Sequence, residues 1–143
     1  MQTQPTVWRE TASATANRLT DLTVEEFLKF CKVPRPGFHT EKALAYFQSW
    51  ADEHGFAHYR DEYGNFWMDV PATAGFEHYP KVILQAHMDM VCVATSDKEI
   101  DFETTGITAV INGNRMTADG TSLGADNGIG VASALAIVAG GVE

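Results

Sequence analysis

Val82-Ile83-Leu84-Gln85-Ala86-His87-Met88-Asp89-Met90-Val91 is an apolar run that ends in an imidazole and a carboxylate. From Lys81 to Ala86 apolar and polar residues do not alternate, which is the pattern of a strand covered on both faces inside an α/β sheet. Read this way, the run is a central strand, and His87-Met88-Asp89 stands just past its carboxyl end, where such sheets place their ligand crevices. Along an extended chain His87 and Asp89 point to one side and Met88 to the other.

A second stretch, Gly120-Thr121-Ser122-Leu123-Gly124-Ala125-Asp126-Asn127-Gly128-Ile129-Gly130, reads as a glycine-rich loop opening a helix from about Asp126 to Val138. Gly128, Gly130, Ala132, Ser133, Ala134 and Ala136 keep that helix thin enough to pack closely on a sheet. The loop is not a phosphate cradle, because it lacks the Gly-Lys-Ser/Thr ending and its glycine spacing does not match the dinucleotide fingerprint. Asp126 carries two readings: an N-cap that satisfies free backbone N–H groups, or a hard oxygen ligand that the flanking glycines let approach closely. A lone His-x-Asp is common by chance. Placed after an apolar strand and joined by a second loop carrying Asp, it points to a metal. Imidazole suits Zn²⁺, and it binds better when its other ring nitrogen donates to a carboxylate, a role for which Asp89 is the candidate.

Outward from these stretches, residues 1–21 read as a flexible leader, and 22–143 as a single unit. The first firm helix runs from Thr23 to Cys31, with Thr23 and Glu26 as a capping box and Val24, Phe27, Leu28 and Cys31 on one face. Pro34 and Pro36 stop it in a rigid turn. A second helix starts near Thr40, turns Ala43, Leu44, Phe47, Trp50 and Ala51 towards a core, and is capped by Gly55. Phe56 to Arg60 and Asn65 to Val70 form a hairpin, as do Ile107 to Ile111 and Arg115 to Ala118 around Asn112-Gly113-Asn114. The order predicts a three-layer α/β/α domain with a mixed sheet. The aromatic residues Phe56, Tyr59, Tyr63, Phe66 and Trp67 read as hairpin and core packing.

With 143 residues and 45% apolar content the chain can bury one core. A net charge of −9 supplies no basic stripe for phosphates and excludes nucleic acid as a partner. Cys31 and Cys92 are too few for a disulfide framework and read as free thiols in a reducing compartment, with a single bridge between them as the alternative. No stretch has the length of a signal core or a membrane span, so the expected address is cytoplasmic, with no membrane partner. Among the other metal-capable side chains, His39, His54, His58 and His78 read as surface, cap or hairpin residues. Cys92 reads as a small buried thiol in spite of its nearness in sequence to His87.

Taken together, Gln85-Ala86-His87-Met88-Asp89-Met90-Val91 and Gly120 to Gly130 resemble the aminoacyl-histidine dipeptidases, also called cytosolic non-specific dipeptidases. These belong to a dizinc metallopeptidase family with tripeptidases, aminoacylases and glutamate carboxypeptidases. The resemblance runs from about Leu22, through Pro34-Arg35-Pro36 and Gly64-Asn65, to the last residue, and it implies the N-terminal portion of a zinc-peptidase catalytic domain. It implies that His87 ligates one zinc, that Asp126 bridges two, and that Asp89 acts in the catalytic site by orienting His87. The implied cofactor is two Zn²⁺ per complete site, with Co²⁺ or Mn²⁺ as substitutes. The implied substrate is a small peptide, Xaa-His or a broader range of dipeptides, and the implied assembly of the full-length protein is a homodimer. In the family a glutamate base takes a proton from a metal-held water. That base, the remaining ligands and the lid domain are expected beyond Glu143, so the chain alone is expected to be inactive and to bind zinc weakly. Two other readings stay open: a non-catalytic scaffold or binding fragment, and an aminoacylase-type amide hydrolase of the same family.

Overall fold

A computed structural model of the chain describes residues 14–140. These form, in order, α1 (Ala14–Cys31), α2 (Glu41–His54), β1 (Ala57–Arg60), β2 (Phe66–Asp69), β3 (Ala109–Asn112), β4 (Arg115–Ala118) and α3 (Ala125–Gly140). The class is α/β, built from helices and small antiparallel sheets.

Helix α2 matches its sequence pattern. Ala43, Leu44, Phe47, Trp50 and Ala51 are its buried residues, and Gly55 closes it in the left-handed conformation, with its N–H on the last-turn carbonyls. Helix α1 departs from its pattern by starting nine residues before Thr23, so the boundary predicted at 21/22 falls inside a helix, while residues 1–13 lie outside the described residues. The capping box at Thr23 and Glu26 does not form, because both lie well inside α1. Contact with α3 draws the earlier turns into the helix. A Cβ at Gly140 would meet Leu22 and Leu19 at 3.2 and 3.3 Å, so the two helices nearly touch there.

Glu26 is instead turned inward, at 6% exposure. Its carboxylate accepts from the Trp50 indole (3.2 Å), the Tyr46 hydroxyl (3.4 Å) and Lys29 (2.6 Å), which ties α1 to α2 with the buried charge hydrogen-bonded. Burial first, and the Glu26 charge next, hold the Tyr46 phenol well above its ordinary pKa.

Both predicted hairpins form. Tyr59 faces Trp67 in the β1–β2 register, and Ile111 faces Met116 in β3–β4. The Asp61 carboxylate organises the first turn, accepting from the backbone N–H groups of Tyr63 and Asn65 and from the Asn65 carboxamide.

The central strand predicted at Lys81 to Ala86 does not form. In place of one mixed sheet, the described residues carry two separate antiparallel pairs. The reason is a missing neighbour: a strand exists by pairing its N–H and C=O groups with another, and none is supplied here. Val82, Ile83 and Leu84 are accordingly 80%, 87% and 49% exposed.

The residues just after that run are nevertheless anchored. Ala86 and Met88 pack on a core cluster of Phe30, Ala43, Phe47, Trp50, Val131 and Leu135. Met90 lies in a second cluster with Phe27, Cys31, Ile107 and Ala132. Burial of alternate residues 86, 88 and 90 fixes the intervening pair, His87 and Asp89, on the opposite side. Helix α1 packs along α3, whose Ala132 and Ala136 are fully buried and allow the close approach.

Candidate metal centre

Two segments deliver the site. The first is 86–90, held as described and tied to the turn after α1 by an isolated parallel bridge between Pro36 and Met90. The second is the loop 120–126, which is laced to the chain just beyond Met90. Ser122 Oγ donates to the Val91 carbonyl (2.7 Å), Val93 N–H donates to Ser122 Oγ (3.1 Å), and Ser122 N–H donates to the Val93 carbonyl (2.8 Å). A further bridge pairs Ala94 with Thr121. This lacing carries Asp126 back to His87.

His87 Nε2 stands 3.0 Å from Asp126 Oδ1. Its Nδ1 faces the Asp89 carboxylate and the Asp89 carbonyl, each at 3.1 Å. The three residues named from sequence are therefore brought together in space. Asp126 is 96% exposed and His87 and Asp89 about half exposed, so the cluster is open to solvent. Of the two readings left for Asp126, its carboxylate meets the His87 ring and not a helix N–H. Asp126 (φ −91°, ψ 108°) and Asn127 (φ −110°, ψ 30°) are not helical, so regular α3 begins after them and Asn127, not Asp126, stands next to its first turn.

Because oxygen acceptors face both ring nitrogens, the imidazolium is favoured. The Asp126 hydrogen bond, and then the contacts with Asp89, raise the His87 pKa, opposed by slight burial. The donor set suits a divalent cation. An imidazole nitrogen and a carboxylate oxygen converge, and the other ring nitrogen is already anchored to a carboxylate, as in carboxylate–histidine–zinc arrangements. It is a partial set. Among the described residues no group of three or more His, Cys, Asp or Glu side chains is placed to share one ion.

The remaining histidines are engaged elsewhere. His54 stacks on Trp50 with ring centres 3.7 Å apart, His58 meets Asp52 at 3.0 Å, His39 lies near Glu103, and His78 packs on Tyr79. Cys31 and Cys92 are free thiols. Cys92 packs against the second core cluster, where burial raises its pKa.

Sequence reading missed Arg35. It is 1% exposed, and its guanidinium donates to the carbonyls of Met88 (3.4 Å) and Gly124 (3.0 Å), one on each segment of the site. The only local signal was a charged residue locked between two prolines.

No known family profile matches the chain. It is 48% identical over 113 residues to the cytosol non-specific dipeptidase of Escherichia coli (strain K12), an alignment covering 79% of this chain and 23% of that protein. It also superposes on the crystal structure of the aminoacylhistidine dipeptidase from Vibrio alginolyticus with a TM-score of 0.81 and 42% identity, covering 92% of this chain and 27% of that one. The chain resembles one part of an aminoacylhistidine dipeptidase. It spans about a quarter of the length of these dipeptidases. The two motifs that carried the resemblance in sequence are the two segments that meet at His87 and Asp126.

Proposed function

We propose that this chain forms part of a metal-dependent dipeptidase and supplies His87 and Asp126 as metal ligands, with Asp89 holding the His87 ring in place. The observation that carries the reading is the convergence of His87 Nε2 and Asp126 Oδ1 at 3.0 Å, with Nδ1 anchored to Asp89. The similarity to two dipeptidases supports peptide hydrolysis as the activity of the whole protein.

In this reading the metal is Zn²⁺, two ions in the complete site, replaceable by Co²⁺ or Mn²⁺. Bound there, it would polarise the scissile carbonyl and acidify a water molecule. The chain's own residues do the preparing. Asp89 accepts from Nδ1 and so keeps the ring from turning, which leaves Nε2 aimed at the metal position. Asp126 offers a carboxylate on a non-helical stretch, free of the hydrogen bonds that a helix start would demand of it. Catalytic zinc takes three protein ligands and an open position. The further ligands and the general base therefore come from polypeptide outside these residues, and the 143-residue chain alone does not hydrolyse peptides and binds zinc weakly. In this reading the whole enzyme works in the cytoplasm, as the name of the Escherichia coli relative suggests; a homodimer is what the family resemblance alone implies. No helix among the described residues is long and apolar enough to cross a membrane.

The test has two parts. Zn²⁺ titrated into the chain should shift the NMR signals of the His87 ring, and in calorimetric titrations His87→Ala and Asp126→Asn should each weaken binding. The whole protein should cleave dipeptides, Xaa-His included, and lose that activity to a chelator. Hydrolysis indifferent to chelation would refute the reading.

A further inference from the structure

We propose that Arg35 is the positioning residue of this centre: its buried guanidinium clips the His87–Asp89 segment to the Gly124–Asp126 loop and so sets the distance between the two ligands. The inference rests on the metal-centre reading above and adds the element that holds the centre together.

A guanidinium is costly to bury unless its charge and its donors are met. Among the described residues Arg35 has no carboxylate within ion-pair distance. It is held by the face of the Phe30 ring, 4.3 Å from its central carbon, and by two backbone carbonyls that take its two Nη groups, while Nε meets no acceptor among the described residues. Those carbonyls are not arbitrary. Met88 lies between His87 and Asp89, and Gly124 lies two residues before Asp126. The backbone of Arg35 adds a third link, because its carbonyl accepts from Met90 N–H at 3.0 Å. One residue is thus bonded to both ligand-bearing segments, which are far apart in sequence.

The fit around the guanidinium fixes the spacing. A Cβ at Gly124 would lie 2.6 Å from Arg35 Nη2, and one at Gly128 would lie 2.9 Å from the same nitrogen. The loop at Gly124 and the first turn of α3 at Gly128 can close on Arg35, and on its neighbours Met90 and Phe27, because neither carries a side chain at that point. Arginine suits the task because its planar fork aims several donors in fixed directions, whereas lysine carries one mobile ammonium. A residue that only filled the core would need neither carbonyl.

The test begins with the unaltered chain. Scalar coupling across the hydrogen bond from Arg35 Nη2 to the Gly124 carbonyl carbon should be detectable, and its absence overturns the clip. In Arg35→Met, which keeps the bulk and removes the donors, the Zn²⁺ concentration that half-shifts the His87 ring signals should rise about tenfold or more, while circular dichroism retains the helices. Arg35→Lys should fall between this variant and the original. A folded Arg35→Met with unaltered Zn²⁺ response overturns the proposal. If that variant does not fold, the decision passes to Arg35→Lys, for which an unaltered response is equally fatal. Should His87→Ala bind Zn²⁺ as well as the original chain, the metal-centre reading fails instead. Arg35 is then judged by the nuclear Overhauser contact between the His87 ring and Asp126, which Arg35→Met must lose.

Discussion

At the scale of single residues, the site is an arrangement of directions. His87 and Asp89 share a side because Ala86 and Met88 pack on one core cluster and Met90 is buried in the other, and this alternation could be read from the sequence alone. Asp89 then matters through what it does to the ring. Asp89→Asn removes the negative charge that faces Nδ1 but keeps the size of the side chain. It should weaken Zn²⁺ binding by about 10–100-fold and leave the unfolding midpoint unchanged, because the side chain is 46% exposed and supports no core. Zinc titration and urea denaturation of the same variant check the two halves. Arg35 could not be read in this way. Its partners are backbone carbonyls 53 and 89 residues away in sequence, and a carbonyl leaves no trace in residue identity.

At the scale of elements, local signals were obeyed where nothing opposed them and overruled where tertiary contact was stronger. Helix α2 ends at Gly55 and both hairpins turn where their turn residues stand. The Thr23–Glu26 capping signal lost to packing of Leu19 and Leu22 against α3, which carried the helix past it. Glu26 gained a different task, and Glu26→Ala should test it. The Trp50 indole and the Tyr46 hydroxyl would lose their acceptor, a loss of about 1–3 kcal/mol measurable by urea denaturation with Trp fluorescence. The β1–β2 turn makes a pH prediction. The Asn65 side chain first, and then backbone N–H groups of the turn, hold the Asp61 carboxyl below its ordinary pKa. A depressed folded pKa means that the turn is stabilised above the unfolded value and loses this as pH falls through the folded one. The amide signals of Tyr63 and Asn65 should therefore move in the acid range, and Asp61→Asn should abolish that movement.

At the scale of the whole molecule, the run at 82–84 decides how far sequence can go. Its lack of alternation is what a strand buried on both faces looks like, but the inference needs strands on either side, and sequence pattern cannot say whether they are at hand. Among the described residues they are not, and Val82 and Ile83 stand almost fully in water. The α/β class survived because it rests on the helices and hairpins, each of which closes on residues nearby. Exposed and unpaired apolar backbone of this kind lowers solubility. Its side chains meanwhile add little to the stability of the 143-residue chain, since an 87% exposed Ile83 has hardly left water. Ile83→Lys should then leave the urea midpoint of this chain within about 0.5 kcal/mol of the original and raise the concentration at which the chain stays monodisperse in light scattering. In the complete protein the same substitution should behave differently if the rest of the polypeptide covers the run: a lysine placed between two layers would be buried without a partner and would lower stability sharply. An equal and small effect in both settings would show that the run stays in water throughout.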